Sequence, residues 1–356
     1  MIRLFIDDNN YDFSNRKYLV DILKPFYPIE NLKKYNLQNT PFKIVDSVFK
    51  SDYFLLPLTW NYYLEKKKIS NVIEIIEKAK CNGKKILIWV SGDYYLDLPE
   101  SENVIGLYSS PYKSLHLGSS IALPVIIKDP LHFLSLNKIQ IKEYSKIPSI
   151  GFCGHTDINL IPSIFKTALL IYKRIKFALK IDCNYAGPIT PPTLIRSKIL
   201  KKIEKINKIK TSFIRRRSYQ GGEIKNTEAF QLLKKDFYNN IIDNQYTLCI
   251  RGTGNFSARF YETLALGRIP IFINTNCVLP FDNIINWQRH IVFIEYDELD
   301  QLEEKIINFH KSHNFNSFLR LQEENRSLWK TYFNFEGFMD ELIKFLENNL
   351  CVTSND

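Results

Sequence analysis

The chain reads as an α/β protein built from two parallel-sheet domains. Three observations predict this. Its 356 residues exceed the roughly 250–300 that one hydrophobic core usually supports. Short apolar runs rich in Val, Ile, Tyr and Phe alternate with stretches of helical periodicity, the pattern of βα units in a parallel sheet. The alternation runs twice, on either side of a Lys-rich, loosely patterned segment at 138–148. The expected division is 1–145 for the first domain and 146–330 for the second, with a helix and tail at 331–356 that could pack back on the first.

Ile2–Ile6 is the first expected strand and Tyr53–Leu58 the second. Ser70 is placed to cap a helix through Lys80, with Val72, Ile73, Ile76 and Ala79 on its apolar face. Lys85–Val90 (KILIWV) is apolar enough to be a buried strand, Val104–Tyr108 follows as another, and Ala122–Ile127 as a short one. The second domain opens with the strand Ser149–Cys153, followed by helices at about 159–178 and 193–210. Thr211–Arg215 is a strand and about 226–240 a helix. Beyond the strand His290–Ile294 the pattern is helical, at about 298–313, 315–331 and 334–349.

The most informative stretch is Tyr246–Phe281, YTLCIRGTGNFSARFYETLALGRIPIFINTNCVLPF. Tyr246–Ile250 is a strand, Arg251-Gly252-Thr253-Gly254-Asn255 breaks it, and Phe256–Leu266 is helical, with Gly267 to end it. Ile269–Ile273 is the next strand. A strand–loop–helix turn presents free backbone N–H groups at the helix start, where the dipole favours an anion. Arg251 and Arg259 add positive charge there. Arg259 and Glu262 lie three residues apart and share a helix face. The pair offers a cation for a phosphate and a carboxylate for a sugar hydroxyl.

Over about forty residues this stretch resembles the exostosin-like glycosyltransferases, family forty-seven of the glycosyltransferases. The resemblance rests on Cys249-Ile250-Arg251-Gly252, on Ala258-Arg259-Phe260-Tyr261-Glu262-Thr263, on Leu266-Gly267-Arg268-Ile269-Pro270 and on Val278-Leu279-Pro280-Phe281. Ala258 replaces the family's Ser or Pro and Thr263 its Ala, leaving the Arg and Glu in place. Asp52–Tyr63 and Leu107–Pro130 match more weakly. The resemblance implies two Rossmann-like domains facing across a cleft (GT-B type). The C-terminal domain would hold a nucleotide-sugar donor, with UDP-sugar the expected form, and the N-terminal domain would face a saccharide acceptor. It also implies transfer with inversion, in the synthesis of a surface glycan or polysaccharide.

In a parallel sheet, ligands bind beyond the carboxyl ends of the strands. That rule collects the donor-side candidates. Gly252, Gly254 and Arg259 are set to hold the diphosphate, with Arg251 beside them. Glu262 takes the ribose hydroxyls by its place in the family pattern. Asn255 is the expected N-cap, with Ser257 its rival. Gly154 and His155 follow the strand Ser149–Cys153. Arg215 or Arg217 reaches the same end, because neighbouring residues of a strand point to opposite faces. For an inverting transfer one base must take the acceptor proton. Asp93, just past Lys85–Val90, is the first choice; Asp7, Asp8, Asp97 and His116 are the alternatives.

Asp-x-Asp, the manganese motif of GT-A enzymes, does not occur in the sequence, so no essential metal and no cofactor are expected. The six cysteines are scattered at 81, 153, 183, 249, 277 and 351, which fits free thiols in a reducing compartment. Met1–Ile6 runs straight into Asp7-Asp8 with no long apolar segment, and the expected location is cytoplasmic, peripheral at the inner face of a membrane. The formal net charge of +10 suits phosphate-rich partners: the nucleotide-sugar, a saccharide or lipid-linked saccharide acceptor, or an anionic membrane surface. The basic stretch 198–210 (KILKKIEKINKIK) reads as a core-packed helix with a wet Lys face, or as a membrane contact. No zinc-finger or RNP-like pattern is present, and no nucleic-acid binding is expected.

Overall fold

The computed structural model describes residues 1–7, 16–26, 42–115, 120–156, 160–218 and 227–353. The chain divides into two units. The first comprises Met1–Pro111, Leu115–Leu123 and the chain from Phe335 onward; the second comprises Tyr112–Ser114 and Pro124–Asn334.

The first unit is built on a six-stranded sheet. Its strands, in chain order, are β1 (Ile2–Phe5), β2 (Phe42–Val45), β3 (Tyr53–Leu55), β4 (Lys85–Val90), β6 (Val104–Tyr108) and β7 (Ile121–Ala122), while β5 (Tyr95–Leu96) lies outside this sheet. The spatial order is β2-β1-β3-β4-β6-β7, and every pairing is parallel. β4 is central, and Ile86–Val90 is buried throughout, as a strand covered on both faces must be. The helix Ile69–Cys81 buries Val72, Ile75, Ile76 and Ala79, an i, i+3, i+4, i+7 stripe. Ile73, expected on that face, is 46% exposed, because it lies about 100° round the helix from Val72. Nor does Ser70 cap this helix: the N-cap is Lys68, and Ser70 lies inside.

The helix Phe335–Thr353 packs with the first unit. Leu342 and Leu346 are buried, and the Tyr53 hydroxyl donates to the Leu346 carbonyl at 2.8 Å. Residues 124–145, by contrast, pack with the second unit. Leu131 shares a core with Tyr238, Ile241 and Leu266, and Phe133, Leu136 and Ile139 lean on it. Backbone carbonyls of this strap accept from the second unit as well: Gln140 from Arg268 Nη2 at 2.7 Å, and Glu143 from Gln245 Nε2 at 2.9 Å. Its side-chain packing was not visible as periodicity, because the segment is largely irregular and only Pro130–Phe133 is helical.

The second unit holds a five-stranded sheet of β8 (Ser149–His155), β10 (Lys210–Arg216), β11 (Tyr246–Ile250), β12 (Ile269–Asn274) and β13 (Val292–Glu295), ordered β10-β8-β11-β12-β13 and wholly parallel. β9 (Asn184–Tyr185) is a short strand outside it. Tyr246–Ile250 and Ile269–Asn274 are buried at every position. The basic stretch 198–210 resolves into the end of the helix Pro192–Glu204, a turn and the start of β10. Ile199, Leu200 and Ile203 lie in the sheet core, so the apolar face of this stretch is occupied by the protein itself. Two parallel α/β units are what the GT-B type of fold requires.

Candidate functional site

The carboxyl ends of β8, β10 and β11 meet in the second unit, and arginine side chains gather there. β11 stops at Ile250, the loop 251–257 turns back, and the helix Ala258–Ala265 starts with Ser257 as N-cap. Ser257 makes no side-chain cap bond. Asn255, the expected cap, is occupied elsewhere: its Oδ1 accepts from Arg251 Nη1 at 3.1 Å and from Thr275 Oγ1 at 2.8 Å, and its Nδ2 donates to the Asn276 carbonyl at 3.2 Å. The loop is therefore pinned to the end of β12 by a buried amide rather than to its own helix.

Arg251 does the rest of the pinning. It is only 4% exposed. Nη1 donates to the Tyr112 hydroxyl at 2.8 Å, Nη2 to the Thr253 carbonyl at 2.7 Å, and Nε to the Gly252 carbonyl at 3.3 Å. The guanidinium also lies 5.6 Å from the centre of the Tyr112 ring. Burial raises the Tyr112 hydroxyl pKa, and the Arg251 charge only partly opposes it. Arg251 thus shapes the loop around itself.

Arg259 sits in the first turn of the helix and reaches under the strand ends. Nη2 donates to the Cys153 carbonyl at 2.7 Å and Nη1 to the Leu248 carbonyl at 3.4 Å. Its guanidinium stacks 4.3 Å from the Phe152 ring centre. Nε is buried with no partner among the described residues. Desolvation lowers the guanidinium's pKa, with Glu262 and two buried thiols opposing. Glu262, one turn on, accepts from the Tyr238 hydroxyl at 3.4 Å. Burial raises its carboxyl, against the pull of Arg259, Tyr238 and Lys234. Gly154 is the close-approach glycine: a Cβ there would stand 2.6 Å from Arg259 Nη2.

Of the run Arg215–Arg217, strand alternation selects the middle residue for this face. Arg215 pairs with Glu204 at 2.7 Å. Arg216 turns the other way, donates to the Leu233 carbonyl at 2.6 Å and acts on both Cys153 and Arg259. Arg217 is exposed just past the strand. His155 ends β8, and its carbonyl accepts from Arg196 Nη1 at 3.2 Å.

Arg196 went unnoticed in the sequence. It lies near the start of the helix Pro192–Glu204 and ties two strand ends together, His155 through Nη1 and the Arg251 carbonyl through Nε at 3.1 Å. Its Nη2 stands 3.6 Å from where a Gly252 Cβ would be. The signal was Pro191-Pro192, which marks a helix start and so puts the following basic residue at the carboxyl end of the sheet.

In the first unit, Asp93 is exposed beyond β4. Asp7 bonds Lys78 Nζ at 2.7 Å. Asp97 is exposed, and its carbonyl accepts from Trp60 Nε1 at 2.9 Å. Asp8 and His116 lie outside the described residues. Among the described residues no cluster of three or more His, Cys, Asp or Glu side chains is placed to hold a metal ion, and no helix is long and apolar enough to cross a membrane.

The second unit is a parallel α/β unit whose strand ends carry a glycine-lined, arginine-rich loop and a helix N-terminus, an arrangement compatible with one half of a GT-B type fold. Residues 189–308 match the Exostosin GT47 domain, so this part of the chain is similar to the exostosin-like glycosyltransferases. Exostosin-1 of Bos taurus is 26% identical over 128 residues, 33% of this chain and 17% of the bovine protein. The probable glucuronosyltransferase GUT1 of Oryza sativa subsp. japonica is 33% identical over 67 residues, 19% of this chain and 16% of the rice protein. The chain therefore spans less than a fifth of these relatives' length. A solved glycosyltransferase structure from Rickettsia africae ESF-5 aligns with a TM-score of 0.38 at 11% identity, covering 97% of each chain.

Proposed function

We propose that the chain transfers a sugar from a nucleoside diphosphate donor, a UDP-sugar, to a saccharide or lipid-linked saccharide acceptor, with inversion and without a metal ion. The observation that carries the reading is the gathering of Arg196, Arg216, Arg251 and Arg259 at the carboxyl ends of β8, β10 and β11, beside Gly154 and Gly252. Positive charge at that point would stabilise a diphosphate as it leaves, the role a metal plays in other transferases. Arg196 and the loop N–H groups would face the phosphates, Arg251 would hold the loop in shape, and Glu262 would accept from ribose hydroxyls.

The acceptor hydroxyl attacks the anomeric carbon as the bond to the diphosphate breaks, and a carboxylate takes the hydroxyl proton. Asp93 is assigned that role, because it is exposed at the carboxyl end of the central strand of the first unit. The test is turnover with a panel of UDP-sugars and oligosaccharide acceptors, read as release of UDP. Acceptor-dependent release supports the reading. UDP-sugar binding without turnover on any acceptor, by a well-folded protein, would leave a binding protein in its place.

A further inference from the structure

The helix Leu160–Ala178 is exposed along the face that ought to be buried. Ile164 is 68% exposed, Phe165 73%, Leu169 51%, Ile171 42%, Tyr172 59% and Ile175 53%, and Leu179, just past the helix end, is 64% exposed. At 100° per residue these side chains fall on one continuous strip, about half the helix circumference. An apolar strip of that kind normally faces a core. This helix packs inward by another side: Phe177 meets the Tyr185 ring edge-on at 5.1 Å, and Arg174 lies 5.4 Å from the centre of the same ring.

One border of the strip is basic: Lys176, Lys173 and Lys166 fall on the side of Phe165 and Leu169, while Arg174 lies on the packed side. Between residues 160 and 181 stand Lys166, Lys173, Arg174, Lys176 and Lys180, and no Asp or Glu. Lys176 reaches Asp182, the first carboxylate beyond, at 3.9 Å. Aliphatic and aromatic groups bordered by cations, in a chain of net charge +10, are the makings of a helix that lies in a membrane interface and is held by anionic headgroups. Pairing of the strip with a second copy would set these four lysines against four more. We infer that this helix docks the protein on an anionic lipid surface, its apolar strip sunk among the acyl chains and its lysines at headgroup level. The docking helix is a different one from the basic stretch 198–210, whose isoleucines are spent in the core. The inference is independent of the transferase reading, because it uses none of the residues at the strand ends.

The experiment is flotation of the full chain with vesicles of phosphatidylcholine alone and of equal parts phosphatidylcholine and phosphatidylserine. Flotation is expected with the anionic vesicles only, and it should weaken with added salt. The double variant Phe165→Glu, Ile175→Glu should fold, since both side chains are more than half exposed, and lose binding on the order of tenfold or more. Phe165→Trp adds a check within an intact strip: its added fluorescence should shift to the blue on anionic vesicles. The inference is overturned if wild type ignores anionic vesicles, if the double variant floats equally well, or if wild type is a dimer that the double variant disperses. The last result would assign the strip to a second copy.

Discussion

Replacing Gly154 by Ala adds one methyl group at the tightest point of the strand ends. The new Cβ would stand 2.6 Å from Arg259 Nη2, the nitrogen that donates to the Cys153 carbonyl at 2.7 Å. Real Cβ contacts are not that short, so the guanidinium must move and the bond must break. A buried hydrogen bond from a charged donor is worth roughly 1.5–3 kcal/mol. Gly154 does not occupy the left-handed region, so alanine also gains about 0.4–1 kcal/mol by restricting the unfolded chain. The balance is a net loss of about 1–2 kcal/mol. Gly252→Ala is the matched control for stability alone, because its Cβ would meet Arg196 Nη2 at an ordinary 3.6 Å, and its stability should be nearly that of wild type. Urea denaturation reads the stability difference, and calorimetry with UDP reads the binding difference, expected at roughly tenfold or more for Gly154→Ala as Arg259 is displaced. If Gly154→Ala matches Gly252→Ala in stability, or binds UDP as wild type does, Arg259 is not held in the place assigned to it.

Asp93→Asn should keep UDP binding and cut kcat on the order of 10²-fold or more; unchanged turnover would return Asp93 to an ordinary loop residue. Turnover should persist in EDTA, and complete loss restored by Mn²⁺ would contradict the metal-free reading. Asp129 pairs with Arg326 across the second unit, and Arg326 Nη1 also donates to the Ala265 carbonyl at 2.7 Å. Burial pushes the Asp129 carboxyl up, but hydrogen bonds from Arg326 and the Leu131 N–H and the Arg326 charge outweigh it, and the folded pKa lies below 3.8. Its stabilisation is therefore fully present above the unfolded pKa and disappears as pH falls through the folded value. Asp129→Asn should flatten the stability–pH curve below about pH 4, and an unchanged acid limb would refute the pairing.

Much of the fold was legible because its strands are buried on both faces. Lys85–Val90, Val104–Tyr108 and Tyr246–Ile250 were found to the residue, since continuous apolar runs bounded by polar turns leave little freedom. The edge strand Phe42–Val45 was missed: only Phe42 is buried, so it carries neither a run nor an alternation. The expected strand Ala122–Ile127 meets the observed one, Ile121–Ala122, only at Ala122, and Pro124 stands just beyond it. Within the candidate site, Gly252, Arg259 and Glu262 announced themselves by spacing. Arg196 and Arg216 did not, because their position follows from strand order and sheet register, which put three segments distant in sequence at one edge. The exposed strip of the helix Leu160–Ala178 was invisible for another reason. Periodicity marks an apolar face and cannot say whether protein covers it.

Under the proposed function, the strand ends of the second unit hold the diphosphate of a nucleotide donor. Calorimetric titration of uridine, UMP and UDP into wild type and Arg196→Gln tests it most directly. Arg196 donates to the carbonyl oxygens of His155 and Arg251, and glutamine keeps a donor there while removing the charge. Affinity should rise with each phosphate, and the variant should lose UDP affinity by about tenfold or more with uridine binding unchanged. Equal affinity for uridine and UDP in wild type, or a variant that binds UDP as well as wild type does, would contradict it.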